Sequence, residues 1–131
     1  MKIALTCNNK LLLQLRDDKP GLFNANMWDF TGGGRDGEEN PLECAAREVM
    51  EGLEIKLVPD SVTWEKWYPA QKDPSQQAVF MVAKITQSDI DSVVLHEGQD
   101  WRMFDQEEFF ANDQVIPLIK TRFKDYLDEN A

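Results

Sequence analysis

Cysteine, histidine and basic charge are what this sequence has least of. Its only cysteines, Cys7 and Cys44, form neither a CxxC nor a zinc-ligand spacing. Cys44 falls in a stretch of helical periodicity, where a free thiol reads as a small buried side chain. His96 is the sole histidine, so a multi-histidine metal centre is excluded. Lysine and arginine together number 14 against 24 aspartates and glutamates, a formal net charge of -10. That balance argues against a nucleic-acid duplex or an anionic membrane as partner. A small phosphorylated ligand stays open, because a divalent cation bridges two sets of negative charge. No apolar run comes near the roughly 18 residues of a membrane span, and no leader pattern precedes the first strand. The expectation is a soluble cytoplasmic protein forming a single domain over residues 1–131, with enough apolar residues, 42%, for a core. Nothing in the composition indicates an oligomeric state.

What the sequence does have is alternating short strands and helical stretches. Lys2–Cys7 and Leu11–Leu15 flank Asn8-Asn9-Lys10, and asparagine tolerates the left-handed backbone of a hairpin turn. Arg16 to Gly21 reads as a loop, and Met27–Phe30 as a short aromatic strand running into Gly32-Gly33-Gly34. Ser61–Tyr68 and Gln76–Thr86 predict two strands joined by the turn-like insert Pro69–Pro74. Trp101–Phe104 predicts another strand, Gln106–Phe110 a short helix, and Asp113–Leu127 a terminal helix with Pro117 near its first turn. Mixed strands and helices of this kind indicate an α/β or α+β sandwich.

The longest helical signal follows the glycines. Asn40 suits the N-cap, Pro41 the first helical position and Glu43 a capping box. Leu42, Ala45, Ala46, Val49 and Leu53 recur on one apolar face, and Arg47, Glu48 and Glu51 lie off it. Gly52 is expected to weaken or end the helix. Glu48 and Glu51, three apart, project toward the same side. Two readings fit them. One is an ordinary solvated helix face; the other is a hard-oxygen site for Mg²⁺ or Mn²⁺ beside diphosphate oxygens. The glycines ahead of the helix would let backbone approach a ligand closely, which makes Gly33 a candidate substrate-binding residue.

Gly33 to Ile55 resembles the Nudix box, G-x5-E-x7-R-E-U-x-E-E-x-G-U with U apolar. Gly33, Glu39, Arg47, Glu48, Val49, Glu51 and Ile55 stand at matching positions. Trp28-Asp29-Phe30 entering the glycines is also similar to that family. The resemblance implies a Nudix-type α/β/α sandwich with a mixed central sheet. It implies a divalent-metal-dependent pyrophosphohydrolase acting on a nucleoside diphosphate-linked compound or a (modified) nucleoside triphosphate. Mg²⁺ or Mn²⁺ would be the cofactor, held by Glu48 and Glu51, with Glu39 and Arg47 as scaffold.

The sequence also departs from that pattern. Gly52 stands where the family has the second glutamate of its pair, a principal metal ligand, and Glu54 stands where it has glycine. Thr31 replaces the proline that usually precedes the glycines. Glu54 would reach the metal only if the helix ended early and the chain curled back. An enzyme is therefore one reading, and a nucleotide-binding or sensing domain with impaired catalysis is the alternative. Outside the box, Glu97-Gly98-Gln99 resembles the loop that brings a candidate general base to the metal in MutT-type members, though an ordinary glycine turn reads the same way. Arg16 resembles a strand-end arginine that meets the nucleotide, or is simply solvated. Asn112 resembles an asparagine that reads a purine edge, or is simply a helix N-cap. Trp64, Trp67 and Tyr68 would either stack a base or fill a core.

Overall fold

The computed structural model describes residues 1–131. Its first half runs β1 (Lys2–Cys7), β2 (Lys10–Leu15), β3 (Trp28–Asp29), β4 (Thr31–Gly32) and α1 (Pro41–Leu53). The second half runs β5 (Val62–Pro69), β6 (Gln77–Lys84), α2 (Gln87–Asp91), β7 (Asp100–Asp105), α3 (Gln106–Ala111) and α4 (Pro117–Glu129). The strands form one mixed sheet. β1 pairs parallel with β6 and antiparallel with β2, while β5 lies outside β6 and β7 pairs along β2.

The β1–β2 hairpin turns through Asn8 and Asn9, at φ 51° and 64°, as the asparagines predict. Away from that turn the two strands find other partners. The start of β1 pairs with β4 and the end of β2 with β3, so Trp28–Gly32 enters the sheet there and delivers the glycines to its rim. The expected single strand at Met27–Phe30 is thus two short ones, interrupted at Phe30.

Alternation along the strands sends side chains to both faces. Ala4, Leu11, Leu13, Phe80 and Val82 pack on one side with Phe109 of α3 and with Ile119 and Phe123 of α4. Ile3, Leu5, Leu12, Met81 and Ala83 pack on the other with Ala45, Val49 and Leu53 of α1. Both faces are therefore covered, giving the expected α/β/α layering. Phe123 packs among the rings of Phe30, Phe109 and Tyr126 in tilted and edge-on contacts, and its truncation to alanine is expected to cost about 3–5 kcal/mol.

Two boundaries differ from expectation. α4 starts only at Pro117 because a turn at Asp113–Gln114 leads into a bridge of Val115 beside Trp28: the Trp28 N–H donates to the Gln114 carbonyl, and the Ile116 N–H to that of Trp28. α1 continues through Gly52 and ends one residue later, with Glu54 left-handed at φ 56°. Tertiary packing of the buried Gly52 turn outweighs the low helix propensity of glycine.

Candidate active site

α1 is nucleated as the sequence indicates. The Asn40 side chain accepts from the Glu43 N–H at 2.8 Å, and the Glu43 carboxylate accepts from the Asn40 N–H at 3.0 Å. With the apolar stripe facing the sheet, Glu48 and Glu51 turn toward the glycine segment and the loop before β7. There they meet Glu97. Carboxylate oxygens of Glu48, Glu51 and Glu97 all lie within 4.8 Å of one another.

Three contacts fix the Glu97 loop. The His96 N–H donates to the Gly52 carbonyl at 2.9 Å, the Gln99 N–H to that of Leu15 at 2.8 Å, and Gln14 Nε2 to that of Glu97 at 3.2 Å. Gly98 sits at φ 85°, and a Cβ there would fall 2.5 Å from the Leu15 oxygen, so only glycine makes this turn. Gln14 is itself held by Thr31, whose hydroxyl donates to Gln14 Oε1 at 2.7 Å in the interior. Thr31 and Gln14 thus form a buried relay from the glycine strand to the Glu97 backbone.

Arg47 neutralises part of the acidic cluster. It grips Glu39 through Nε at 2.8 Å and Nη2 at 3.0 Å, reaches Glu48 and Glu51 through Nη1 at 3.0 and 3.1 Å, and donates to the Gly34 carbonyl at 2.9 Å. These bonds lock the glycine loop to the helix, which is the scaffold role expected of Glu39 and Arg47. Arg47 hydrogen bonds hold the Glu39 carboxyl below its ordinary value, and Glu39 in turn pushes Arg47 up. The Glu97 carboxyl is raised, first by partial burial and then by the charges of Glu48 and Glu51.

Gly33 has a different reason to be glycine from the one expected. A Cβ there would lie 2.5 Å from Glu48 Oε1, so the close approach that glycine permits is that of the Glu48 carboxylate. Gly52 is buried but would accommodate a Cβ. A Cβ at that position would stand 3.7 Å from Gln14 Nε2 and 4.0 Å from Glu97 Oε2, in ordinary contact. The absent side chain therefore belongs to the region that Glu97 approaches from the loop. Glu54 does not curl back: its carboxylate pairs with His96 Nε2 at 2.6 Å, and the early helix end that would have redirected it does not occur.

Two cavities border the cluster. One of about 470 Å³ is lined by Lys2, Gln14, Arg16, Asp29, His96 and Glu97 among others. The second, about 670 Å³, shares Lys2, Arg16, Leu22 and Asp29 with it and extends past Gly33 and Gly34 to Phe23, Lys72 and Arg122. Arg16 thus lies on both cavities, and its Nη1 stands 3.7 Å from Asp29.

Asn112 lines neither cavity. Its Oδ1 accepts from the Gln114 N–H at 2.8 Å and its carbonyl from Lys120 at 2.8 Å; it ends α3, and Ile116 stands at the N-cap of α4, so the N-cap reading of Asn112 is not met. Trp64 packs edge-on against Phe80 and Tyr126, Tyr68 donates to Asp125, and Trp67 is half exposed, so none of these three borders either cavity. Lys2, Gln14, Asp29 and Arg122 are cavity residues that sequence reasoning passed over. A glutamine in an otherwise apolar strand and a lone arginine near the apolar face of α4 were the available signals.

The donor set fits a hard divalent cation. Three carboxylates converge with no sulfur or imidazole donor among them, and Mg²⁺ or Mn²⁺ usually fills the remaining positions with water and phosphate.

The family model described as the NUDIX domain matches residues 3–125. Among solved structures, a MutT protein from Methanosarcina mazei Go1 superposes with a TM-score of 0.76 at 20% identity, covering 98% of this chain and 91% of that one. A Caenorhabditis elegans Ap4A hydrolase in a binary complex gives 0.66 at 19% identity, covering 98% and 96%. A bifunctional NMN adenylyltransferase/ADP ribose pyrophosphatase from Francisella tularensis, complexed with AMP and a Mn ion, gives 0.72 at 15% identity. In that case 99% of this chain matches 41% of the larger protein. At these identities the likeness speaks to the fold.

Proposed function

This chain belongs to the Nudix family, whose members are typically hydrolases of diphosphate linkages, and from that premise we propose that it is an active Mg²⁺- or Mn²⁺-dependent pyrophosphohydrolase. The substrate class is a nucleoside diphosphate joined to a further group, or a nucleoside triphosphate. One observation carries this reading: Glu97 joins Glu48 and Glu51 within 4.8 Å, so the carboxylate set closes without a side chain at Gly52.

Glu48 and Glu51 hold the cation, and Glu97 closes the site from the loop. When bound, such a cation screens phosphate charge and lowers the pKa of an adjacent water. Lys2 and Arg16, on the shared wall of the two cavities, orient the phosphates. Glu97, on the loop facing Glu48 and Glu51, accepts the proton of the attacking water. A carboxylate has two oxygens, so facing a cation and accepting a proton are compatible. As the water oxygen bonds to phosphorus, the bridging P–O bond breaks and its electron pair leaves with the departing phosphate. Arg47 keeps Glu48 and Glu51 in place through the reaction. The two free thiols suit a reducing, cytoplasmic setting, and no helix is long and apolar enough to cross a membrane.

The second reading, a binding or sensing domain, is favoured by Gly52 alone. A phosphate-release screen over nucleotides with Mg²⁺ or Mn²⁺ separates the two. We expect turnover in the wild type, abolished by EDTA and lowered at least about 10³-fold in Glu48→Gln. A silent wild type that gains activity on Gly52→Glu would give the site to the sensing reading.

A further inference from the structure

Arg122 is a buried guanidinium with no carboxylate partner. It is 6% exposed and Nε has no hydrogen-bond partner; its contacts are the Pro69 carbonyl, to which Nη2 donates at 3.3 Å, and the Tyr68 ring, 4.7 Å away. Desolvation of an unpaired cation is costly, and burial accordingly lowers its pKa. It is nevertheless set against the larger cavity, together with Lys2, Arg16 and Lys72. Asp29 is the one acid in that lining, and its Oδ2 is engaged by Lys2 at 2.7 Å and by Arg16 at 3.7 Å. Lys72 forms no ion pair and stands 6.0 Å from the centre of the half-exposed Phe23 ring. A chain of net charge -10 therefore keeps two uncompensated cations, Lys72 and Arg122, on one cavity. The same cavity reaches the catalytic cluster at Gly33, which backs onto Glu48.

Two free cations match a dianion better than a single carboxylate would, and a phosphomonoester carries about −1.5 to −2 charge at neutral pH. We propose that this cavity binds a phosphomonoester carried on the ribose of the nucleotide substrate, away from the hydrolysed linkage, with Arg122 and Lys72 as its partners. The inference rests on the pyrophosphohydrolase reading for its substrate class. It makes the preferred substrate a nucleoside diphosphate derivative bearing an additional phosphate. Arg122 supplies planar donors at the cavity wall, Lys72 an exposed charge in the same lining, and Phe23 an apolar face for the base.

The test is calorimetry in EDTA with adenosine 5′-monophosphate, adenosine 2′,5′-bisphosphate and adenosine 3′,5′-bisphosphate. One bisphosphate is expected to bind at least about tenfold more tightly than the monophosphate, as one charge-assisted contact implies. Arg122→Gln and Lys72→Ala are each expected to remove most of that preference. Lys72 is exposed, so its variant reads the site even if Arg122→Gln loses the fold. Equal affinities in the wild type, no bisphosphate binding at millimolar concentration, or a preference surviving in Lys72→Ala would overturn the proposal. Glu48→Gln keeps the preference while losing hydrolysis, so the failure of one reading is told apart from failure of the other.

Discussion

At the N-terminal end of α1, Asn40 and Glu43 cap each other and Arg47 binds Glu39, Glu48, Glu51 and the Gly34 carbonyl. At the C-terminal end, Gly52 offers no side chain and Glu54 turns away to His96. The third carboxylate comes from Glu97, on a loop held by Gln14 and by backbone contacts to Gly52 and Leu15. The two ends differ in the range of their contacts. The first is assembled from neighbours in sequence and secures the loop–helix scaffold. The second is assembled from three distant segments and brings Glu97 to Glu48 and Glu51. A scaffold can therefore be complete in one motif while its carboxylate cluster is completed from elsewhere.

The comparison breaks most sharply at Gly33. Gly33→Ala places a methyl group where the Glu48 carboxylate sits, and a side-chain end can move aside without unfolding the protein. Turnover is expected to fall roughly hundredfold, as an ångström-scale displacement of a catalytic group implies, with the unfolding midpoint nearly unchanged. Steady-state kinetics beside thermal denaturation checks both. A large stability loss with intact turnover would mean that the glycine serves the backbone instead.

Gln14→Leu probes the distant assembly. It leaves the buried Thr31 hydroxyl and the Glu97 carbonyl without partners, so stability should fall by about 1–3 kcal/mol. Turnover should fall about tenfold as the Glu97 loop loosens, and Thr31→Val should reproduce part of the same loss. Unchanged turnover in both variants would show that the loop holds its place without this relay.

The smallest effect is a pH signature of opposite sign at the two ends. Arg47 hydrogen bonds hold Glu39 below the ordinary value of 4.5, so its stabilisation is present above that value and fades as pH falls through the lowered one. Partial burial and two neighbouring carboxylates hold Glu97 above 4.5, so its contribution favours the fold at low pH and is lost as pH rises through the raised value. In EDTA at pH 7, Glu97→Gln should raise the unfolding midpoint and Glu39→Gln should lower it. Adding Mg²⁺ should stabilise the wild type more than Glu97→Gln. Scanning calorimetry at pH 4, 5.5 and 7 reads the sign directly.

This division explains what was legible in the sequence. The hairpin at Asn8-Asn9, the capping of α1 and the pairing of Glu39 with Arg47 are local, and residue type with spacing is enough to read them. The mixed order of strands and helices indicates a sandwich, and the α/β/α layering itself is implied by the family resemblance; β1, β2 and β6 are near-continuous apolar runs buried on both faces. Glu97 was reached only through its resemblance to a family loop, because the register of β2 against β7 and the Gly98 turn bring it to the helix. Gln14 in an apolar strand and Arg122 near the apolar face of α4 stand out as polar residues, but what they do is not legible, since their partners lie on other elements. Asn112 shows the converse hazard: an asparagine before a helix reads as its N-cap, but α4 starts only after Ile116 and the Asn112 side chain closes a turn instead.

The central claim, that Glu97 stands in for the carboxylate missing at position 52, is tested most directly by Mn²⁺ binding to the wild type, Glu97→Gln and Glu54→Gln, followed by electron paramagnetic resonance. The account predicts at least about tenfold weaker binding in Glu97→Gln, with Glu54→Gln matching the wild type. Wild-type affinity in Glu97→Gln, or a loss confined to Glu54→Gln, would contradict it.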